Sequence, residues 1–292
     1  MPASASPSRA DRVVRRYLRA RRRRDRVVRG LAAVFDGLWL GVLDRERLHR
    51  LDERFYDERV ERVDGRAHRY DDDAYNARGL FDWEDAAVTA HLPAGGRIVV
   101  TGAGGGREVL ALLERGFDAT GYEPNRRLAD AGADFLSRRG HPDRLRPSER
   151  DLFPEDVERC DGVVVGWGSY TLIAGRERRV ELLRAARRRL SEGDPVLLSF
   201  FAHAERPRYL AVVARVANAV RRMRRREPVE PGDALAGNFT HHFTPAEVAD
   251  ELTAGGFELV DLRLSPYGHA VGRAARSDVA RPALEARAHP GR

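Results

Sequence analysis

The chain has 292 residues, enough for one large domain with a helical extension and enough to bury a substantial core. Its one cysteine, Cys160, excludes an intrachain disulfide, a cysteine-rich zinc site and any two-thiol chemistry; it fits a reducing compartment, with the cytoplasm as the expected location. All 52 basic residues are Arg, and the net charge of +7 is localised: residues 1–30 hold eleven Arg against Asp11 and Asp25, so the rest of the chain is slightly negative and charge alone does not make it a nucleic-acid binder.

Residues 1–10, rich in Pro, Ser and Ala, read as disordered. From Asp11 to about Val63 the pattern is helical. Leu31, Val34, Phe35, Leu38, Trp39 and Val42 recur at three- and four-residue steps and predict one apolar face, and Leu48, Leu51, Phe55 and Val60 predict a second helix. The longest apolar stretch, Gly30 to Leu43, is interrupted by Asp36 and too short to span a bilayer. No small-residue cleavage site follows it, so the basic start is not read as a signal peptide. Gly65 to Asp73 is loop-like, and the segment from Ala74 ends in a helix before Pro93. Strands are then expected near 97–101, 118–122, 144–147, 162–167, 195–201, 257–264 and 268–273, with helices near 106–115, 125–138, 175–191 and 245–255. That alternation predicts an α/β, doubly wound parallel sheet covered on both faces.

The chemistry is concentrated at the first of these strands. Arg97-Ile-Val-Val-Thr-Gly-Ala-Gly-Gly-Gly106 is an apolar run entering a glycine turn, Gly102, Ala103, Gly104 and Gly106, with a helix starting at once. Glycine accepts positive φ and puts no Cβ between backbone and ligand, and a helix N-terminus offers free N–H groups. A dinucleotide fingerprint would place its third glycine at 107, where Arg107 stands. Seventeen residues beyond Gly106, a second strand ends in Glu123, whose two oxygens match a vicinal diol such as that of a ribose.

Turn and acid together resemble the class I S-adenosylmethionine-dependent methyltransferases. The passage Thr244-Pro245-Ala246-Glu247 to Gly255-Gly256-Phe257-Glu258-Leu259-Val260 is similar to the last helix and sixth strand of that family, and the resemblance covers about residues 80–275. It implies a Rossmann-like seven-stranded sheet with the last strand antiparallel, an N-terminal helical extension, and S-adenosyl-L-methionine as cofactor. In such a fold the glycine turn lies under the methionine part and Glu123 holds the ribose. Asp151 accepts from the adenine amino group, Leu152 packs on the ring, and Gly166 and Trp167 lie beside the cofactor, with Ser169 and Tyr170 nearer the acceptor. Tyr75 and Asn76 belong to the segment that closes over the methionine end.

Three domains follow: a basic arm and helical cap over 1–72, a methyltransferase domain over 73–275 and a disordered tail over 276–292. The expected catalytic candidates are Tyr170 and the pair His241-His242, of which a histidine could take a proton from a hydroxyl or amine acceptor near neutral pH. A structural or surface role is the favoured reading of these histidines. No metal is expected, since no His/Asp/Glu cluster has ligand spacing. The loop Gly166-Trp167-Gly168-Ser169-Tyr170 lacks the Asn/Asp-Pro-Pro-Tyr pattern of enzymes that methylate base amino groups, and Cys160 lacks the Pro-Cys context of cytosine-C5 enzymes. The reading is therefore a methyltransferase on a small-molecule substrate. A non-catalytic S-adenosylmethionine or nucleotide-binding module docked through the basic arm, and an NAD-dependent oxidoreductase, stand as alternatives. Arg21–Arg24 and the adjoining apolar face also fit contact with an anionic membrane or RNA, although a helical cap is the favoured reading of the arm.

Overall fold

The computed structural model describes residues 9–58, 61–63, 66–68 and 70–276. The disorder expected for 1–10 and 276–292 therefore falls almost wholly outside the described residues, as does Val60. In chain order the elements are α1 (Arg9–Val42), α2 (Arg45–Glu58), β1 (Glu61–Val63), β2 (Arg66–His68), α3 (Asp73–Asn76), α4 (Asp82–His91), β3 (Arg97–Thr101), α5 (Arg107–Glu114), β4 (Asp118–Glu123), α6 (Arg126–Arg138) and β5 (Leu145–Pro147). They continue with β6 (Gly162–Val165), α7 (Arg176–Arg187), β7 (Pro195–Ala202), α8 (Arg208–Met223), β8 (Asp233–Leu235), β9 (Phe239–Phe243), α9 (Pro245–Ala254), β10 (Phe257–Arg263) and β11 (Gly268–Ala274).

The chain divides into two compact units. One holds the described residues up to Asp44 together with Pro207–Leu235, and the other holds Arg45–Arg206 and the residues from 236. This differs from the expected boundary at 72. Residues 45–72 go with the sheet, and a later segment joins the N-terminal helix. Within the smaller unit α1 packs on α8, a helix the sequence pattern had not suggested despite its buried Leu210, Val213, Ala214 and Ala217. Gly37 and Gly41 make the approach possible, because a Cβ on Gly37 would stand 2.8 Å from the Val213 carbonyl oxygen and one on Gly41 2.6 Å from Val220 Cβ. Arg221 donates to the carbonyls of Leu40 and Leu43, and Arg226 to that of Val42, so the end of α1 is satisfied by side chains.

In the larger unit the main sheet runs β10-β11-β7-β6-β3-β4-β5. Strands β3 to β7 pair in parallel, while β11 is antiparallel to both β7 and β10. Parallel strands covered on both faces need unbroken apolar runs, and Ile98-Val99-Val100 and Val163-Val164-Val165 supply them. The period of two divides each run. Val99, Val163, Val165, Val196, Leu198 and Phe200 join the core on one face, and Ile98, Val100, Val164 and Leu197 the core on the other. The seven-stranded order and antiparallel last strand agree with the expectation. Two short pieces correct it: 61–63 and 66–68 form an antiparallel hairpin rather than helix and loop, and β9 adds to β7 in parallel at the His242 register.

Candidate active site

β3, β4 and β6 end on one side of the sheet, and a cleft of about 980 Å³, its open mouth included, lies beyond those ends. Strand carboxyl ends are where an open α/β sheet binds ligands. Gly102, Ala103, Gly104 and Gly105 form its floor, with φ of +65° at Gly102 and +55° at Gly104. A Cβ on Gly104 would meet nothing and project into open space, whereas one on Gly102 would lie 2.3 Å from Ser169 Oγ. Gly104 is thus the residue whose missing side chain keeps the floor clear. Gly106 lines no part of the cleft. It is buried at the N-cap of α5 with φ +93°, and it serves the turn itself.

Glu123 stands at the end of β4 and is buried. Its Oε2 accepts from Gly104 N at 2.7 Å and its Oε1 from Asn125 N at 2.7 Å, which fixes the carboxylate against the glycine turn. Burial pushes its pKa up, and the two backbone donors oppose that shift without cancelling it. Asp151, at φ +62°, also lines the cleft, but its Oδ2 already faces His49 Nε2 at 3.2 Å and Arg45 at 3.7 Å. Neither partner was expected. They lie on α2, about a hundred residues away in sequence, and no local pattern could name them. Leu152 beside Asp151 is half exposed within the cleft, an apolar surface open to a flat ligand.

Arg107 explains its own departure from the dinucleotide pattern. Its guanidinium is buried, forks onto Glu84 at 2.6 and 2.7 Å, reaches Glu108 at 2.7 Å and the Gly79 carbonyl at 3.0 Å, and stacks over Phe81 at 4.3 Å. Glu108 in turn accepts from Trp167 N at 3.1 Å. One cation therefore ties α4, α5 and the loop after β6 together. Two carboxylates against one guanidinium, with Glu123 nearby, leave the turn acidic in balance.

Trp167 lines the cleft, its ring against Phe81 and Tyr267, and Ser169 joins it there, donating to the Gly102 carbonyl at 3.1 Å. Gly166 does not. A Cβ there would come within 2.3 Å of the Gly102 carbonyl oxygen, so glycine lets the ends of β3 and β6 approach. The remaining wall is aromatic. Tyr56, Tyr70 and Tyr75 run edge to face, and Arg127 on α6 binds the Tyr56 carbonyl, Asp57 and Asp71. Tyr75 and Asn76 line the cleft wall. Asn76 donates to the Tyr70 carbonyl, and its buried Oδ1 has no partner; Thr101 Oγ1, also lining the cleft, is buried and unpartnered too. Buried polar atoms without a partner are uncommon, and both of these stand on the cleft.

None of the three expected catalytic side chains lies on this cleft. Tyr170 is fully buried. Its hydroxyl donates to Glu251 at 2.7 Å, and Glu251 is held bidentately by the equally buried Arg179. Burial first, and then the Glu251 charge, push the Tyr170 hydroxyl far above its ordinary range. His241 is fully buried beside Phe243, on the same side of β9 as Phe239. His242 points the other way, packed on Phe201 and stacked on His203. Burial, with His203 and His241 adding to it, pulls its pKa down to about 4, so it is neutral at pH 7.

No family model matches the sequence and no curated protein matches it. Among solved structures the chain is similar to a SAM-dependent methyltransferase from Methanosarcina mazei at 18% identity and TM-score 0.52, covering 68% of this chain and 99% of that one. The CcbJ methyltransferase of Streptomyces caelestis aligns at 17% identity and TM-score 0.53, over 77% of this chain and 96% of its own. A S-adenosylmethionine-dependent methyltransferase from Clostridium acetobutylicum aligns at 10% identity and TM-score 0.51, over 66% and 89%. The chain has the fold of the class I S-adenosylmethionine-dependent methyltransferases.

Proposed function

We propose that the chain transfers a methyl group from S-adenosyl-L-methionine to a small molecule. The observation that carries this reading is the pairing of Glu123 with Gly104 across an open, acidic glycine floor. Of the cations lining the cleft, Arg107 is paired with Glu84 and Glu108 and Arg150 with Asp52, so neither offers a free charge to a dinucleotide's pyrophosphate. A ligand with an ammonium and a sulfonium is complementary to such a floor. The orphaned Asn76 Oδ1 and Thr101 Oγ1 suit a cofactor rich in N–H and O–H donors. In this reading Glu123 takes the ribose hydroxyls, Leu152 the face of the adenine, and the Gly102–Gly104 turn the methionine part. Asp151, held by His49 and Arg45, borders the base.

The cofactor supplies an electrophilic methyl on a good leaving group, so little is asked of the protein beyond alignment and dryness. Trp167, Ser169 and the tyrosine wall shape the space left for the acceptor. The proton that an N–H or O–H acceptor loses on methylation goes to solvent at the open mouth and not to His241, His242 or Tyr170, since none of those three lines the cleft. The alternative of a non-catalytic binding module differs in one outcome only. Incubating the protein with cofactor labelled in the methyl group and a small-molecule extract should move label into a low-mass fraction. Tight cofactor binding without any transfer would favour the module.

A further inference from the structure

Helix α1 carries a second apolar surface that the cleft does not use. Its α8 side is the one with Ala33, Gly37, Leu40 and Gly41. At 3.6 residues per turn, Tyr17, Val28, Leu31, Phe35, Leu38 and Trp39 fall on the opposite side and form one stripe. All six are exposed, Leu31 at 67% and Phe35 at 60%. A stripe this long exceeds the scattered apolar exposure normal for a soluble surface. Opposite it, on the turns before Gly30, Arg15, Arg19, Arg22, Arg26 and Arg29 occupy the polar face.

We propose that α1 lies along the surface of an anionic lipid bilayer. Its stripe enters the boundary between headgroups and acyl chains, and its arginines pair with lipid phosphates. An Arg-rich polar face opposite Leu, Phe and Trp is the chemistry of an interfacial helix. Arg21 and Arg24 interrupt the stripe between Tyr17 and Val28, and their stems are long enough to carry their heads back to the headgroups. RNA would use the arginines and leave the stripe in water. A second copy of α1 would cover the stripe, but it would press Arg21 and Arg24, which lie within it, against the same two residues of that copy, with Asp25 as the near acid. The inference does not rest on methyl transfer.

The full chain is to be sedimented with vesicles of equimolar phosphatidylglycerol and phosphatidylcholine, and with vesicles of phosphatidylcholine alone. Partitioning should favour the anionic vesicles by about ten-fold or more and weaken at high salt. The double variant Leu31→Glu/Phe35→Glu, which keeps every Arg, should lose about ten-fold or more of that binding. Brominated acyl chains should quench wild-type fluorescence, and Trp39→Phe should remove that quenching. Equal or absent uptake by the two vesicle types would overturn the proposal. So would absence of quenching, duplex RNA binding more tightly than vesicles and indifferent to the double variant, or a dimer that the double variant dissociates in a chain that ignores vesicles.

Discussion

Glu123 sets the chemistry of the cleft at the scale of a single side chain. Its pKa is raised by burial, so its carboxylate protonates at a higher pH than an ordinary Glu. The native state then binds more protons than the unfolded chain just above the ordinary Glu range, and this residue makes the fold less stable as pH rises through that window. Ligand binding runs the opposite way, because a protonated carboxyl accepts fewer hydroxyl donors. S-adenosylmethionine affinity should fall on acidification from a pH above the usual Glu range, and Glu123→Ala should cost about 1–3 kcal/mol of binding at neutral pH and flatten that dependence. Titration by calorimetry at several pH values checks both. Gly104→Val should abolish binding while the protein stays folded: its side chain would enter open cleft at φ +55°, whereas glycines packed on backbone cannot accept one. Retained affinity in that folded variant would make the turn purely architectural. Tyr170→Phe should leave turnover unchanged and cost about 1–2 kcal/mol of stability, since the hydroxyl serves only the buried Glu251–Arg179 pair. A large loss of turnover at normal stability would restore Tyr170 to the chemistry.

Among the elements, Arg107 is the joint between α4, α5 and the loop after β6. Deleting its guanidinium leaves Glu84 and Glu108 buried without a cation, so Arg107→Ala should destabilise the protein by about 3–5 kcal/mol, read as a shift in the urea midpoint. A shift within a few tenths would mean the joint is dispensable. The departure of Arg107 from the dinucleotide pattern was plain in the sequence, but its role was not, because Glu84 comes from a helix whose docking only the fold decides. β9 was legible in principle. Phe239, His241 and Phe243 alternate on one side of a five-residue strand, and that period of two places His241 in the core and His242 on the opposite face. Taking the two histidines as one catalytic pair overlooks this parity. α8 also carried its signal, a stripe from Leu210 to Ala217, which packs on the Gly37 and Gly41 side of α1.

Across the whole molecule, the sheet was the most readable part, because strands buried on both faces must be written as continuous apolar runs bounded by glycine and cap residues. Thr244-Pro245-Ala246-Glu247 is such a boundary, and it forms the reciprocal cap of α9. The division of the chain was less readable. Which helices pair depends on contacts between residues separated by nearly two hundred positions, as with Arg221 and Leu40. The cleft falls between these cases. Its floor and Glu123 are local to two strand ends and were expected. The clasp of Asp151 by His49, and of the tyrosine wall by Arg127, arises only when α2 reaches the sheet. Fold, glycine floor and acidic balance all lead to one central claim, that the cleft takes S-adenosylmethionine rather than a dinucleotide. Calorimetry of the full chain with S-adenosylmethionine, its demethylated product and NADH tests it most directly. Micromolar-range heats of binding are expected for the first two and none for NADH; preferential binding of NADH, or no heat from any of the three, would overturn the assignment.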